Sequence, residues 1–203
     1  EVTGLAYKPA LEDLEGRVVH SDAPAAGEFA SSSALLDRIM LAILWTQDSN
    51  MIGVPTDCPQ RDERLGWTGD IQVFSQAAMF NRDMAGFFTK WLRDLREGQT
   101  ADGRLPDFAP HPLDPEVRFS GNPGWADAIT VIPWRQYATY GDRRILEECY
   151  DSARRWVDWS ARNNPDFLWR SSDPLTPAYY GDWLNADTFQ DIPGLPRSGG
   201  AVP

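Results

Sequence analysis

The sequence predicts an all-α fold, a toroid of helical hairpins present for about half its circumference, preceded by a short β segment. Three observations predict it. Beyond Ser31, apolar residues recur at helical spacing in five segments. Those segments alternate between a single apolar stripe and an apolar surface nearly all round. The connections between them alternate between tight and long.

The elements follow in order. Residues 1–30 differ from the rest: RVVHSD (17–22) reads as a short strand and the Ala/Pro/Gly stretch after it as a connection, the expected exit from an upstream β domain. Residues 33–50 place Leu35, Leu36, Ile39, Met40, Ile43 and Leu44 on one stripe. Residues 70–82 are apolar on most sides (Ile71, Val73, Phe74, Ala77, Ala78, Phe80). Residues 84–98 return to one face, with Phe88, Trp91, Leu92 and Leu95 opposed by charged residues. Residues 125–140 are again apolar nearly all round, and 142–162 carry a stripe of Ile145, Leu146, Cys149, Tyr150, Ala153, Trp156 and Val157. A one-stripe helix covers a surface, whereas an all-round apolar helix is enclosed, so the order is outer, inner, outer, inner, outer. Tight turns lie near 82–85 and at Gly141–Asp142; the long loops 51–69, 98–124 and 163–203 then emerge at one end, where the inner helices begin. Residues 31–203 are thus expected to form the first half of a toroid, truncated where a third inner helix would start.

Composition narrows the function. The chain has 203 residues, 42% hydrophobic with nine Trp, enough for a real core. Its net charge of −11 disfavours nucleic acid or an anionic membrane as partner. No apolar run reaches the ~18 residues of a membrane span. No charged-then-apolar leader is visible, a weak pointer to the cytoplasm, though Glu1 rather than Met opens the chain. Cys58 and Cys149 are expected as free thiols. His20 and His111 lie in no ligand spacing, and no phosphate loop or dinucleotide fingerprint occurs, so neither metal nor cofactor is expected. Calcium in the acidic loop is a lesser alternative, given the adjacent arginines.

That loop, DCPQRDERLGWTGD (57–70), concentrates Asp57, Asp62, Glu63 and Asp70 with Arg61, Arg64 and Trp67. Sugar chemistry needs such a mixture: carboxyls to trade protons, guanidinium to hold them, and an aromatic face for pyranose C–H groups. From the residues alone, Glu63 is equally a general acid or a loop ion pair with Arg61 or Arg64. Asp57 is a ligand-binding carboxylate or a turn former before Pro59. Asp70, just before an apolar helix, reads first as an N-cap. Trp67, Trp125 and Trp183 fall at the mouths of the long loops, as sugar platforms or as core. Asp127 stays undecided.

VPTDCPQRDERLGWTGD (54–70) resembles the signature of bacterial α-L-rhamnosidases, glycoside hydrolase family 78, and the likeness continues through KWLRDLREGQTADGRLP, GWADAITVIPW, the segment holding Asp182 and Trp183, and NADTFQDIPGLPRSGGAVP, about residues 17–203. The resemblance implies an (α/α)6 barrel and inverting hydrolysis of terminal α-L-rhamnosides. It places the general acid at Glu63, and substrate-binding groups at Asp57, Arg61, Asp70, Trp67, Trp125, Asp182 and Trp183. The general base, a glutamate on a later part of the barrel, is expected beyond Pro203. The chain alone is therefore expected to need the remainder of its barrel and to be inactive without it. Another toroid enzyme (an unsaturated-sugar hydrolase, lyase or phosphorylase) and a non-catalytic sugar-binding module are the competing readings.

Overall fold

Apolar periodicity becomes helix where it was expected in this computed structural model, which describes residues 3–113, 119–166, 168–169 and 180. The helices are α1 (Ala34–Asn50), α2 (Thr68–Asn81), α3 (Ala85–Glu97), α4 (Ala128–Tyr140) and α5 (Arg143–Asn163). The largest offset falls at α4, predicted from 125. Residues 122–127 first wind a tight turn, in which Ala126 N–H donates to Asn122 O and Gly124 N–H to the Asp127 carboxylate. Between α1 and α2 lies a two-residue hairpin, β1 (Met51–Ile52) against β2 (Val54–Pro55).

The core sits where α4 meets its neighbours. On one side α4 packs against α2, on the other against α3 and α5, as an inner helix must. Phe88, Trp91, Leu92 and Leu95 of α3 are wholly buried, at the spacing of one helical face. From α5, Ile145, Cys149 and Trp156 close the same junction, while Tyr150 and Val157, expected on its buried stripe, are exposed. Arg135 of α4 donates to Gln72 O and to Ser75 Oγ, tying the two inner helices by polar contacts. The α4–α5 turn is short because Gly141 adopts φ 70°, left-handed backbone that ends α4, and the Asp142 carboxylate accepts the Arg144 N–H to start α5.

Two expectations are corrected. Residues 17–22 form no strand; Ser21 N–H donates to Met51 O, and Gly53 N–H to Ser21 Oγ, so the segment is tied down by scattered bonds rather than a ladder. The apolar stripe of α1 is also largely uncovered: Leu35, Leu36, Ile39 and Ile43 are exposed. What holds α1 is polar and lies at its C-terminal end. Gln47 bridges Ala78 O and Asn81 Nδ2, and Asp48 pairs in bidentate fashion with Arg82. Val73 and Phe80 of α2 and Trp134 of α4 are exposed as well, because no described element packs against those sides. Among the described residues, no helix is long and apolar enough to cross a membrane.

Candidate active site

Two long loops are stitched together where α2 begins. The Thr68 N–H and hydroxyl both donate to Asp107 O, at 2.9 and 2.8 Å, and Ala109 N–H donates to Gly66 O at 2.9 Å. A Cβ on Gly66 would stand 2.3 Å from Ala109 O, so only glycine permits this approach. The stitching holds Trp67 edge-on to Phe108, with ring centroids 4.9 Å apart, and within 6.4 Å of Phe119 and 6.1 Å of Tyr180.

Trp67 in turn fixes Glu63. Its Nε1–H donates to Glu63 Oε1 at 2.5 Å, and the Leu65 N–H reaches the same oxygen at 3.2 Å. Glu63 Oε2 is buried without a hydrogen-bond partner, and so is Asp57 Oδ1. Burial of the Glu63 carboxyl, followed by the neighbouring Asp57, raises its pKa above the ordinary value. Arg61 stands 3.7 Å from both carboxylates, but its side chain is 60% exposed, which weakens its opposing effect. The counter-charge comes from Arg61 rather than Arg64. Among the described residues neither Arg64 nor Asp62 forms an ion pair with the other, and Arg64 sits in left-handed backbone at φ 57°.

A cavity of about 610 Å³ opens beside this group, lined among others by Asp57, Gly69, Asp70, Phe74, Gly124 and Trp125. Asp70 is not the N-cap of α2: the helix starts at Thr68 and Trp67 holds the cap position. The Asp70 side chain is therefore released to the cavity rim, where crowding and the Asp57 charge raise its pKa. Trp125 lies flat on the first turn of α2, so close that a Cβ on Gly69 would stand 2.9 Å from the indole. Asp57, Asp70 and Trp125 thus share one cavity; Glu63, Arg61 and Trp67 sit behind Asp57, outside its lining. Asp182 and Trp183 lie outside the described residues.

Other groups find simpler roles. Both Asp127 oxygens are engaged, by Gly124 N–H and Trp156 Nε1–H. His111 stacks on Phe108 at 4.5 Å, and His20 is exposed. Cys58 and Cys149 are free thiols, and burial pushes Cys149 up to about 11. Asp57, Cys58 and Glu63 bring one ligand atom each within 4.8 Å of one another, but the Arg61 guanidinium already faces both carboxylates. Sequence reasoning missed Asp107, wholly buried, with its pKa pushed by burial up to about 7. The only sign was an acid inside the apolar run Leu105-Pro106-Asp107-Phe108.

Residues 24–198 match the domain described as the bacterial alpha-L-rhamnosidase 6 hairpin glycosidase domain. An alpha-L-rhamnosidase of Streptomyces avermitilis is 43% identical over 196 residues, covering 95% of this chain and 18% of that relative. The chain thus spans under a fifth of the relative's length. The crystal structure of the Streptomyces avermitilis alpha-L-rhamnosidase complexed with L-rhamnose superimposes with a TM-score of 0.77 at 41% identity, over 85% of this chain and 16% of that one. The alpha-L-rhamnosidase of Dictyoglumus thermophilum does so with a TM-score of 0.75 at 42% identity, over 81% of this chain and 18% of that one.

Proposed function

Because the chain belongs to the bacterial alpha-L-rhamnosidase six-hairpin glycosidase family, we propose that it supplies the acid half of a site hydrolysing terminal α-L-rhamnosides with inversion. The observation that carries this reading is the state of Glu63: a buried carboxyl oxygen without a hydrogen-bond partner, beside a second carboxylate, with its pKa raised. A carboxyl so placed holds its proton to higher pH than an ordinary glutamate and can give it to the glycosidic oxygen as the C–O bond breaks and its electron pair stays with that oxygen. Asp57 and Asp70 are assigned to sugar hydroxyls, with Arg61 orienting Asp57. Trp125 offers its indole to the ring C–H groups and the 6-methyl. Trp67, Asp182 and Trp183 complete the binding set that the resemblance implies.

Asp57 is not the general base in this reading. Its oxygen lies within 4.8 Å of Glu63, while inversion needs about 6.5–9.5 Å between the two carboxyls to admit water. The base is assigned to a later part of the barrel. Residues 1–30 serve as the exit of a β domain, and 31–203 as the first half of the catalytic toroid.

The test is Glu63→Gln in the intact protein. On alkyl rhamnosides kcat should fall about 10²–10⁴-fold, and on 4-nitrophenyl rhamnoside much less, because nitrophenolate departs without protonation. Equal losses on the two substrates would remove Glu63 from the acid role.

A further inference from the structure

Asp107 is a buried carboxyl that the proposed reaction does not use, yet it joins three separated stretches of chain. Its carboxylate accepts Asn122 Nδ2–H at 2.7 Å and the Asn122 N–H at 3.3 Å, and the buried Tyr180 hydroxyl stands near enough to feel its charge. Its carbonyl takes both donors of Thr68, at the start of α2, and its own N–H donates to Phe119 O. An apolar side chain would escape the desolvation that pushes this acid up to about 7, but would leave Asn122 without its acceptor.

Some of these ties reach aromatic rings at the site. The Tyr180 ring lies 4.5 Å from that of Trp125 and 6.1 Å from that of Trp67, and Phe108, the next residue along, lies 4.9 Å from Trp67. Trp67 then places its Nε1–H on Glu63 Oε1, where the Leu65 N–H also points. An oxygen that receives two donors is the poorer place for a proton, and Oε2 has no hydrogen-bond donor, facing only the Arg61 guanidinium at 3.7 Å, a side chain 60% exposed. We propose that Asp107 is a positioning residue which, through Tyr180 and Phe108, holds Trp67 so that Oε1 of Glu63 stays the acceptor and the transferable proton sits on Oε2. This inference rests on reading Glu63 as the acid.

The experiment compares Asp107→Asn, Tyr180→Phe and Trp67→Phe with Glu63→Gln in the intact protein, on an alkyl rhamnoside and on 4-nitrophenyl rhamnoside. All three positioning variants should lose about tenfold or more in kcat on the alkyl substrate and under about threefold on the nitrophenyl one, and Asp107→Asn and Tyr180→Phe, which lie outside the binding set, should keep KM within about threefold on both. A merely structural role would lower the two activities together or leave both intact, and either result overturns the proposal. Should Asp107→Asn fail to fold, Tyr180→Phe, which deletes one hydroxyl, is expected to show the same loss and decides the proposal on the same terms. If Glu63→Gln itself shows no dependence on leaving group, the acid reading falls and takes this inference with it. If Glu63→Gln shows the dependence and the positioning variants do not, only the positioning role falls.

Discussion

At the junction of α3, α4 and α5, Phe88, Trp91, Leu92, Leu95, Ile132 and Ile145 are wholly buried in one apolar cluster. At the loop end of α2, by contrast, Asp57 and Glu63 each bury an oxygen without a hydrogen-bond partner, and Glu63, Asp70 and Asp107 all have raised pKa values. The backbone differs in the same sense: among the described residues, the non-glycine positions with positive φ, Arg64 and Phe119, both lie in the site loops. Apolar burial at the junction offsets polar burial at the loops. The contrast teaches that stability and chemistry reside in different parts of this chain, and substitutions should sort accordingly.

The sharpest break of that contrast comes from Trp91, which belongs to both regions. Its ring fills the α3 face, and its Nε1–H donates to Ala109 O in the site loop at 2.9 Å. Trp91→Ala should lower unfolding free energy by about 3–5 kcal/mol, and urea denaturation measures it. A loss below about 1 kcal/mol would mean that the junction is not the stabilising region.

A smaller effect is expected from pH. Asp107 ordinarily would titrate at 3.8 and in the fold titrates at about 7, so the folded state holds its proton longer. Its contribution is therefore most favourable below the unfolded value, declines as pH rises from about 4 to about 7, and is constant above. The decline should be on the order of a few kcal/mol at most. Asp107→Asn removes it, so the urea midpoint of the unaltered protein should fall relative to the variant's between about pH 4 and about pH 7. Parallel profiles for the two proteins would show that the loop end carries no such penalty.

Smallest is the helix start far from the site. Asp142→Ala removes the carboxylate that accepts the Arg144 N–H and should cost about 1 kcal/mol. Activity per folded molecule, with the folded fraction taken from circular dichroism, should stay unchanged; a fall in kcat would blur the division between the two regions.

The helices were legible because their pattern is local: the α3 face at 88, 91, 92 and 95 repeats at helical spacing and is buried as expected. The loop cluster of Asp57, Glu63 and Arg61 was legible through residue chemistry and resemblance. What escaped depended on distant contacts. Asp70 read as a cap because nothing local revealed that Thr68 would bond to Asp107 O, thirty-nine residues on, and start the helix earlier. Asp107 itself shows only as an acid inside a short apolar run, since Asn122 and Tyr180 approach it only through the fold. The extended segment at 17–22 had strand-like residues, but a strand exists only with a partner, and none of the described residues pairs with it.

The turn at Gly141–Asp142 has a practical consequence. It lies at the far end of α4 from Gly124 and Trp125, a helix of 13 residues, or about 20 Å, away from the cavity. Arg143 beside it has a side chain 82% exposed. A thiol introduced there would anchor the protein to a bead or an electrode with the cavity mouth turned toward the bulk liquid. Cys149 is buried and Cys58 half-buried, so an outlying thiol would couple ahead of both. Oriented immobilisation is thus built into the alternation of tight and long connections.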